Sequence, residues 1–382
     1  MIDTITLRLD ESQFRIFDHD KFSPSTYHFF NSPYTRMGSK VWLSANQNPT
    51  KKESLEGIYK PQLTLSKIFH ENKPRIFLYI QFSAPKILFG NNFDELKDSD
   101  LDEIILKLSS ALLSMGVSLR MNEFENAKVT KIHYSKNIVL PEYTIPHMVI
   151  SEVRKVDLNM HHDLTEKDYR NGGHSIRFHT NEFELIIYDK KKDLQKSKKS
   201  DKKSIEKDNA IQLNLFDTLK KKKPFEVLRI EARLNSSNKI KSELGISKEQ
   251  HTLYKLFNSK TSVTLLSNYW KNIIKCYQIM SYEIENKEKF LANFMINNPE
   301  AKLTNALTVY SIIEFSKEMG IRKFRNLVEK KYTRRTWYGL KKSINKYNIN
   351  GKLPNHFDAI TKTLDTYQPL RLEDYKDMFE SL

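Results

Sequence analysis

The 382-residue sequence has a single cysteine, Cys276. A lone thiol excludes an intramolecular disulfide, and it excludes a zinc site built from cysteines. Long apolar runs are missing too. None approaches the ~20 residues that span a bilayer, and no basic amphipathic terminus offers a surface anchor. The opening "MIDTITLRLD" alternates as a strand does and lacks the charged-then-apolar pattern of a secretory signal. The expectation is a soluble intracellular protein with no membrane partner. No internal repeat divides the chain. Positive charge, in contrast, is plentiful. Sixty-three Lys and Arg against 47 Asp and Glu leave a net +16. Nucleic acid is the commonest partner for such an excess, because each neutralised phosphate releases a counterion. A hydrophobic content of 39%, with 22 Phe and 18 Tyr, makes the chain globular rather than disordered.

Alternation and apolar runs predict strands at 4–9, 75–82, 128–135, 153–160, 173–180, 183–190 and 225–234. Leu101, Ile104, Ile105, Leu108, Leu112 and Met115 recur at helical spacing and predict a helix over 99–115. Ser99 is its expected N-cap and Gly116 its C-cap. Many strands with few helices predict an α+β domain over 1–240 built on an antiparallel sheet. Residues 191–223 interrupt it with Lys, Ser, Asp and Glu almost throughout, a composition that buries too little to order itself. From 245 to 382 helical spacing dominates, and this part is expected to be a helical DNA-binding or accessory domain. There "SIIEFSKEMGIRKFRNLVEKKYTRRTWYGLKKSINKYN" reads as helix, turn, helix, then Thr333 capping a further helix. That last helix carries Arg334, Arg335, Trp337, Lys341 and Lys342. A basic helix after a short turn suits a DNA groove. It suits equally a solvated face with Trp337 in the core.

Tyr188 ends a predicted buried strand, "FELIIYDK", where the chain turns into lysines. Two readings stand: an ordinary strand residue beside a solvated loop, or a nucleophile held where a phosphate backbone arrives. If 175–188 is a hairpin turning at Asn181-Glu182, His179 lies opposite Glu184, Arg177 opposite Ile186 and Ser175 opposite Tyr188. Alternation puts these six side chains on one face. In "VLRIEARL" the same rule groups Arg229, Glu231 and Arg233, and the two polar faces are placed to meet. A tyrosine attacking a phosphodiester needs its proton removed and cations on the non-bridging oxygens. Arg177, Arg229 and Arg233 are the expected DNA-binding cations here. Lys190, two residues on and expected on the same strand face, would stabilise a phenolate or a leaving oxygen.

Carboxylates with histidines suit a divalent metal such as Mg²⁺ or Mn²⁺ that polarises the scissile phosphate. Asp157 and Glu231 are the first candidates, with His133 or His179 beside them. No His-hydrophobe-His triplet is present. The five-residue gap between His174 and His179 sends the two to opposite faces of a strand, and "HHD" at 161–163 reads as a turn.

"SAPKILFGNN" (83–92), "VRKVDLNM", "GGHSIRFHTNEFELIIYDK", "VLRIEARL" and "RRTWYGLKKSINKYNI" (334–349) stand in an order that resembles the rolling-circle replication initiators of the filamentous-phage gene II/gene X type. The resemblance covers about residues 75–350. It implies an HUH-like endonuclease domain followed by a helical region of helix-turn-helix character that holds the origin. Under it Tyr188 nicks one DNA strand, becomes joined to the 5′ phosphate and later rejoins the strand, with Lys190 as partner. Glu231 matches the family's acidic residue and Asp157 the aspartate of the "VDL" strand. A bacterial cytoplasm and the host replication machinery are the implied setting.

Inside the charged insert, "QLNLF" interrupts the polarity. It looks like the pentapeptide that docks bacterial proteins on the sliding clamp. Leu213, Leu215 and Phe216 would fill an apolar pocket, with Gln212 hydrogen-bonding at its edge. The rival is that the island folds back on its own sheet. For the whole chain two rival functions remain: a conjugative relaxase or transposase with the same chemistry, and a non-enzymatic helix-turn-helix regulator.

Overall fold

Strands with one apolar and one polar face assemble here into a single large sheet. The computed structural model describes residues 1–27, 43–50, 53, 58–70, 73–141, 143–158, 165–170, 173–196, 226–280, 286–347, 353–371 and 373. Its strands are β1 Ile2–Asp10, β2 Phe14–Ile16, β3 Leu43–Gln47, β4 Gln62–His70, β5 Lys73–Ser83 and β6 Val117–Leu119. They continue with β7 Lys128–Val139, β8 Thr165–Arg170, β9 Ser175–His179, β10 Phe183–Asp189 and β11 Val227–Leu234. Nine of them form one sheet in the order β3-β4-β5-β1-β7-β11-β10-β9-β8, and β2 pairs with β6. Every neighbouring pair is antiparallel.

The helices are α1 Ala84–Phe89, α2 Leu101–Ser114, α3 Met121–Asn126, α4 Pro146–Lys155, α5 Lys190–Lys196, α6 Ser237–Leu244 and α7 Leu253–Leu256. After them come α8 Ser259–Tyr277, α9 Lys287–Asn297, α10 Leu303–Met319, α11 Ile321–Lys331, α12 Arg334–Lys346 and α13 Asn355–Thr366. The protein is thus α+β, a large antiparallel sheet followed by a helical C-terminal region. No described helix is long and apolar enough to cross a membrane.

One face of the sheet is the core. Phe183, Leu185 and Ile187 of β10 and Leu228, Ile230, Ala232 and Leu234 of β11 are all buried. Each such Leu, Ile or Phe contributes about 1.5–3 kcal/mol relative to exposure. Helix α8 covers them, its Tyr269 ring 4.9 Å from Phe183. Tyr134 of β7 points the same way and donates its hydroxyl to the Leu256 carbonyl at 3.1 Å. The predicted division near 240–245 is therefore not a packing boundary. One hydrophobic cluster joins the strands to Trp270, Trp337 and Leu364.

Six of the seven predicted strands are present. The seventh, 153–160, is corrected. Pro146 opens α4, whose Val149, Ile150 and Val153 are buried at helical spacing, and Val156, Asp157 and Leu158 follow as non-strand chain. A window starting at 153 saw only the tail of that helical pattern. The helix expected over 99–115 is α2, but Asp100 takes the N-cap position and Met115 the C-cap. Gly116 turns the chain just beyond, at φ +82°. Residues 197–225 lie outside the described residues, and with them the clamp motif Gln212, Leu213, Leu215 and Phe216. His161 and His162 lie outside too.

Candidate functional site

The other face of the sheet is polar where β7, β11, β10 and β9 run side by side. The hairpin pairs as expected, Glu184 with His179, Ile186 with Arg177 and Tyr188 with Ser175. Strand β11 lies directly beside β10, setting Arg229 against Tyr188, Glu231 against Ile186 and Arg233 against Glu184. Strand β7 then sets His133 against Arg233, Ser135 against Glu231 and Asn137 against Arg229. Three rows of side chains result: His133–Arg233–Glu184–His179, Ser135–Glu231–Ile186–Arg177 and Asn137–Arg229–Tyr188–Ser175.

Tyr188 is half-buried, and its hydroxyl donates to Glu231 Oε2 at 3.3 Å. Glu231 is 1% exposed. Its other oxygen accepts from Arg233 Nε at 2.7 Å and lies 3.7 Å from His133 Nδ1. Behind the pair stands Arg229, 2% exposed. Its Nη2 meets Asp3 Oδ1 at 2.7 Å and Ser135 Oγ at 2.8 Å, and its Nη1 donates to the Asn92 carbonyl at 2.7 Å. Asp3 arrives from β1 by a register shift between Ile2 and Thr4. That slip is a β-bulge, a device that re-aims one side chain out of a regular strand.

Asp3, His133 and Glu231 each offer a ligand atom, and the three atoms lie within 4.8 Å of one another. Two carboxylates and an imidazole fit a hard divalent cation such as Mg²⁺ or Mn²⁺. Burial, the largest influence on His133, lowers its pKa, so the ring is neutral at pH 7 and able to ligate. Burial works to raise Glu231, but Arg233 and then Arg229 outweigh it, and the carboxyl stays below its ordinary range. Burial also raises the Tyr188 phenol well above its ordinary value, and Arg229 offsets only part of that. The resting phenol is therefore neutral and donates.

Several expected residues are found elsewhere. Asp157 is not with Glu231: its carboxylate holds Arg325 Nη1 of α11 at 2.9 Å, a buried pair that fastens the helical region to the end of α4. His179 belongs to the outermost row, two strands from Glu231, and is not among the three clustered ligands. Lys190 is not on the strand. It begins α5, fully buried, with its ammonium donating to Asn92 Oδ1 at 2.7 Å. Burial and then Arg229 lower its pKa to about 7. Arg177 and Arg233 share the Glu184 carboxylate at 2.6 and 3.3 Å and stay partly open to solvent. Arg229 is no surface contact, since Asp3 and a wall of strands enclose it.

In the helical region Thr333 precedes α12 as expected, without a bond from its hydroxyl to the first-turn amides. Arg334, Arg335 and Lys342 are exposed and Lys341 is half-buried. Trp337 is core, its ring edge-on to Phe324 at 5.7 Å.

Asp3 and Asn92 were missed by the sequence reading. Asp3 did leave a trace: from Thr4 to Leu9 polar and apolar residues alternate strictly, and Asp3 breaks the phase. Two polar residues in succession at a strand start mark such a bulge. Asn92 closes the run "SAPKILFGNN", but nothing in that run shows its partners, which come from β11 and α5. Set against known protein-family models, curated proteins and solved structures, the chain has no significant match.

Proposed function

We propose that this chain is an HUH-like nicking and joining enzyme that initiates rolling-circle replication by cutting one DNA strand through Tyr188. The observation that carries the reading is the Tyr188 hydroxyl donating to Glu231 inside the Asp3–His133–Glu231 group. The phenol oxygen attacks the phosphorus, an Oη–P bond forms and the P–O3′ bond breaks, leaving a 5′-phosphotyrosyl link. The phenol proton passes to Glu231 Oε2. Because the resting phenol binds its proton firmly and Glu231 does not, that transfer accompanies attack rather than precedes it. The departing 3′ oxygen takes up a proton from water, and Lys190, fully buried behind the site, supplies charge rather than contact. Positive charge from Arg229 and Lys190 favours the phosphate. Asp3, His133 and Glu231 would hold a divalent cation, which when bound supplies charge to the non-bridging oxygens. Transesterification keeps the bond energy in the link, so rejoining needs no ATP.

In this reading the basic helix α12, with Arg334, Arg335, Lys341 and Lys342, holds the origin duplex in the manner of a helix-turn-helix. The "QLNLF" pentapeptide docks the host sliding clamp, which brings the replication machinery to the new 3′ end. The net charge of +16 agrees with a DNA partner. The test is incubation of the protein with labelled single-stranded DNA from its own genetic element and Mn²⁺ or Mg²⁺. A denaturation-resistant protein–DNA species that Tyr188→Phe cannot form is the expected result. An adduct formed equally by Tyr188→Phe removes Tyr188 as nucleophile. Duplex binding without any adduct would favour the non-enzymatic regulator.

A further inference from the structure

The segment 90–96 between α1 and α2 is a built loop. Gly90 takes a left-handed conformation at φ 71° to end α1. Asn91 then closes an Asx turn, its Oδ1 accepting from the Phe93 and Asp94 amides at 2.9 Å each. Strand β7 pins the far side. Asn137 donates its side-chain amide to the Phe93 carbonyl at 2.7 Å and its backbone amide to Glu95 Oε1 at 2.6 Å. Between these anchors lies Asn92, with no freedom to drift.

Asn92 touches two buried cations, Lys190 and the Arg229 that pairs across the strands with Tyr188. Its side-chain Oδ1 accepts from Lys190 Nζ and its main-chain carbonyl accepts from Arg229 Nη1, each at 2.7 Å. Lys190 comes from the helix after β10 and Arg229 from the neighbouring strand, so no single element sets their spacing. Lysine carries four rotatable stem bonds and does not hold a position unaided. We infer that Asn92 is a positioning residue that fixes Lys190 relative to Arg229, the cross-strand neighbour of Tyr188. This inference rests on the nicking reading above and adds to it the residue that sets the cation geometry.

The test compares wild type, Asn92→Ala and Asn92→Asp in two measurements. One is the single-turnover rate of adduct formation at saturating single-stranded oligonucleotide. The other, made without DNA, is the rate at which an amine reagent labels Lys190, followed by mass spectrometry. Misplacing a reacting group by an ångström costs about 10²-fold. Asn92→Ala is therefore expected to slow the adduct step about 10²-fold, with little change in the half-saturating DNA concentration and faster labelling of Lys190. Asn92→Asp keeps an acceptor oxygen and is expected to restore most of the rate and the protection. A fold defect common to both variants would not separate them. Wild-type rate and labelling in Asn92→Ala overturn the inference, and so does an Asp variant as impaired as Ala. If wild type itself forms no adduct, the Tyr188 reading fails, and Asn92 is judged by Lys190 labelling alone. Faster labelling in Asn92→Ala then upholds the clamp, and unchanged labelling overturns it.

Discussion

Two buried glutamates, Glu95 and Glu231, both lie against β7 and both keep their carboxyls below the ordinary range, yet they are held in opposite ways. Glu95 accepts from backbone amides on each side, Asn137 N at 2.6 Å and Leu370 N at 2.9 Å, and pairs with the buried Lys136. Glu231 accepts from side chains: Tyr188 at 3.3 Å and Arg233 at 2.7 Å. A main-chain donor cannot leave without moving its backbone, so the Glu95 arrangement is a staple. Side-chain donors can turn away when a phosphate or a cation arrives. The difference teaches which buried charge is tied to the main chain and which is held by groups able to change partner.

The comparison breaks most sharply at Tyr188. Tyr188→Phe removes the proposed nucleophile, and the expected loss of adduct is complete within detection. Stability should change by only about 0.5–1.5 kcal/mol, the net worth of one hydrogen bond, so the thermal transition of the variant checks that the fold is intact. A large drop in melting temperature would make Tyr188 a structural residue.

The staple should fail differently. Lys136→Met leaves Glu95 buried without its side-chain cation, a change that costs about 3–5 kcal/mol, read by denaturant unfolding. Its pH dependence has a definite sign. Burial, the largest influence on Glu95, raises its pKa, while Lys136 and the other donors bring it below the ordinary value. In wild type the group therefore contributes stability above the unfolded pKa of ~4.3, and loses it as pH falls through the lower folded value. Without Lys136, burial gains the upper hand and the folded pKa moves upward. The gap between variant and wild type should then narrow as pH is lowered toward 4. A gap that stays constant shows that Lys136 acts through packing alone.

How far the sequence foretold these arrangements depends on the range of each contact. The hairpin register from Ser175 to Tyr188 was legible because two alternating runs and one short turn determine it. Arg229, Glu231 and Arg233 were grouped for the same reason. Asp157 was misread because its partner Arg325 lies 168 residues away. A carboxylate that fastens helices looks the same in one dimension as one that awaits a metal. Asp3 needed the pairing of β1 with β7, which periodicity does not supply. Lys190 was expected on the strand face of Tyr188, but it begins a helix and points inward to Asn92.

Metal affinity sharpens the Glu231 half of the comparison. Asp3→Asn keeps an acceptor for Arg229 but removes one charged ligand from the Asp3–His133–Glu231 group. Manganese affinity of the free protein, measured by electron paramagnetic resonance, is expected to fall at least about 10²-fold. An unchanged affinity would remove Asp3 from the metal site. Asp157→Asn, in contrast, should leave manganese affinity alone and loosen α11.

The smallest effect concerns Arg233, whose guanidinium stands where it competes with an incoming cation. Its Nε lies 2.7 Å from Glu231 Oε1, the oxygen that also faces His133, and the side chain is 30% exposed. Its second partner, Glu184, keeps Arg177 at 2.6 Å if Arg233 is removed, so no orphaned carboxylate results. A partly exposed pair of this kind is worth up to about 1 kcal/mol, or about 5-fold in a binding constant. Arg233→Gln is accordingly expected to tighten manganese binding about 5-fold in the absence of DNA. Under the nicking reading it should also weaken binding of single-stranded DNA, because one partly exposed cation of the site is gone. If manganese binding weakens instead, Arg233 orients Glu231 for the metal, and the side-chain donors around Glu231 are then as fixed as the amides around Glu95.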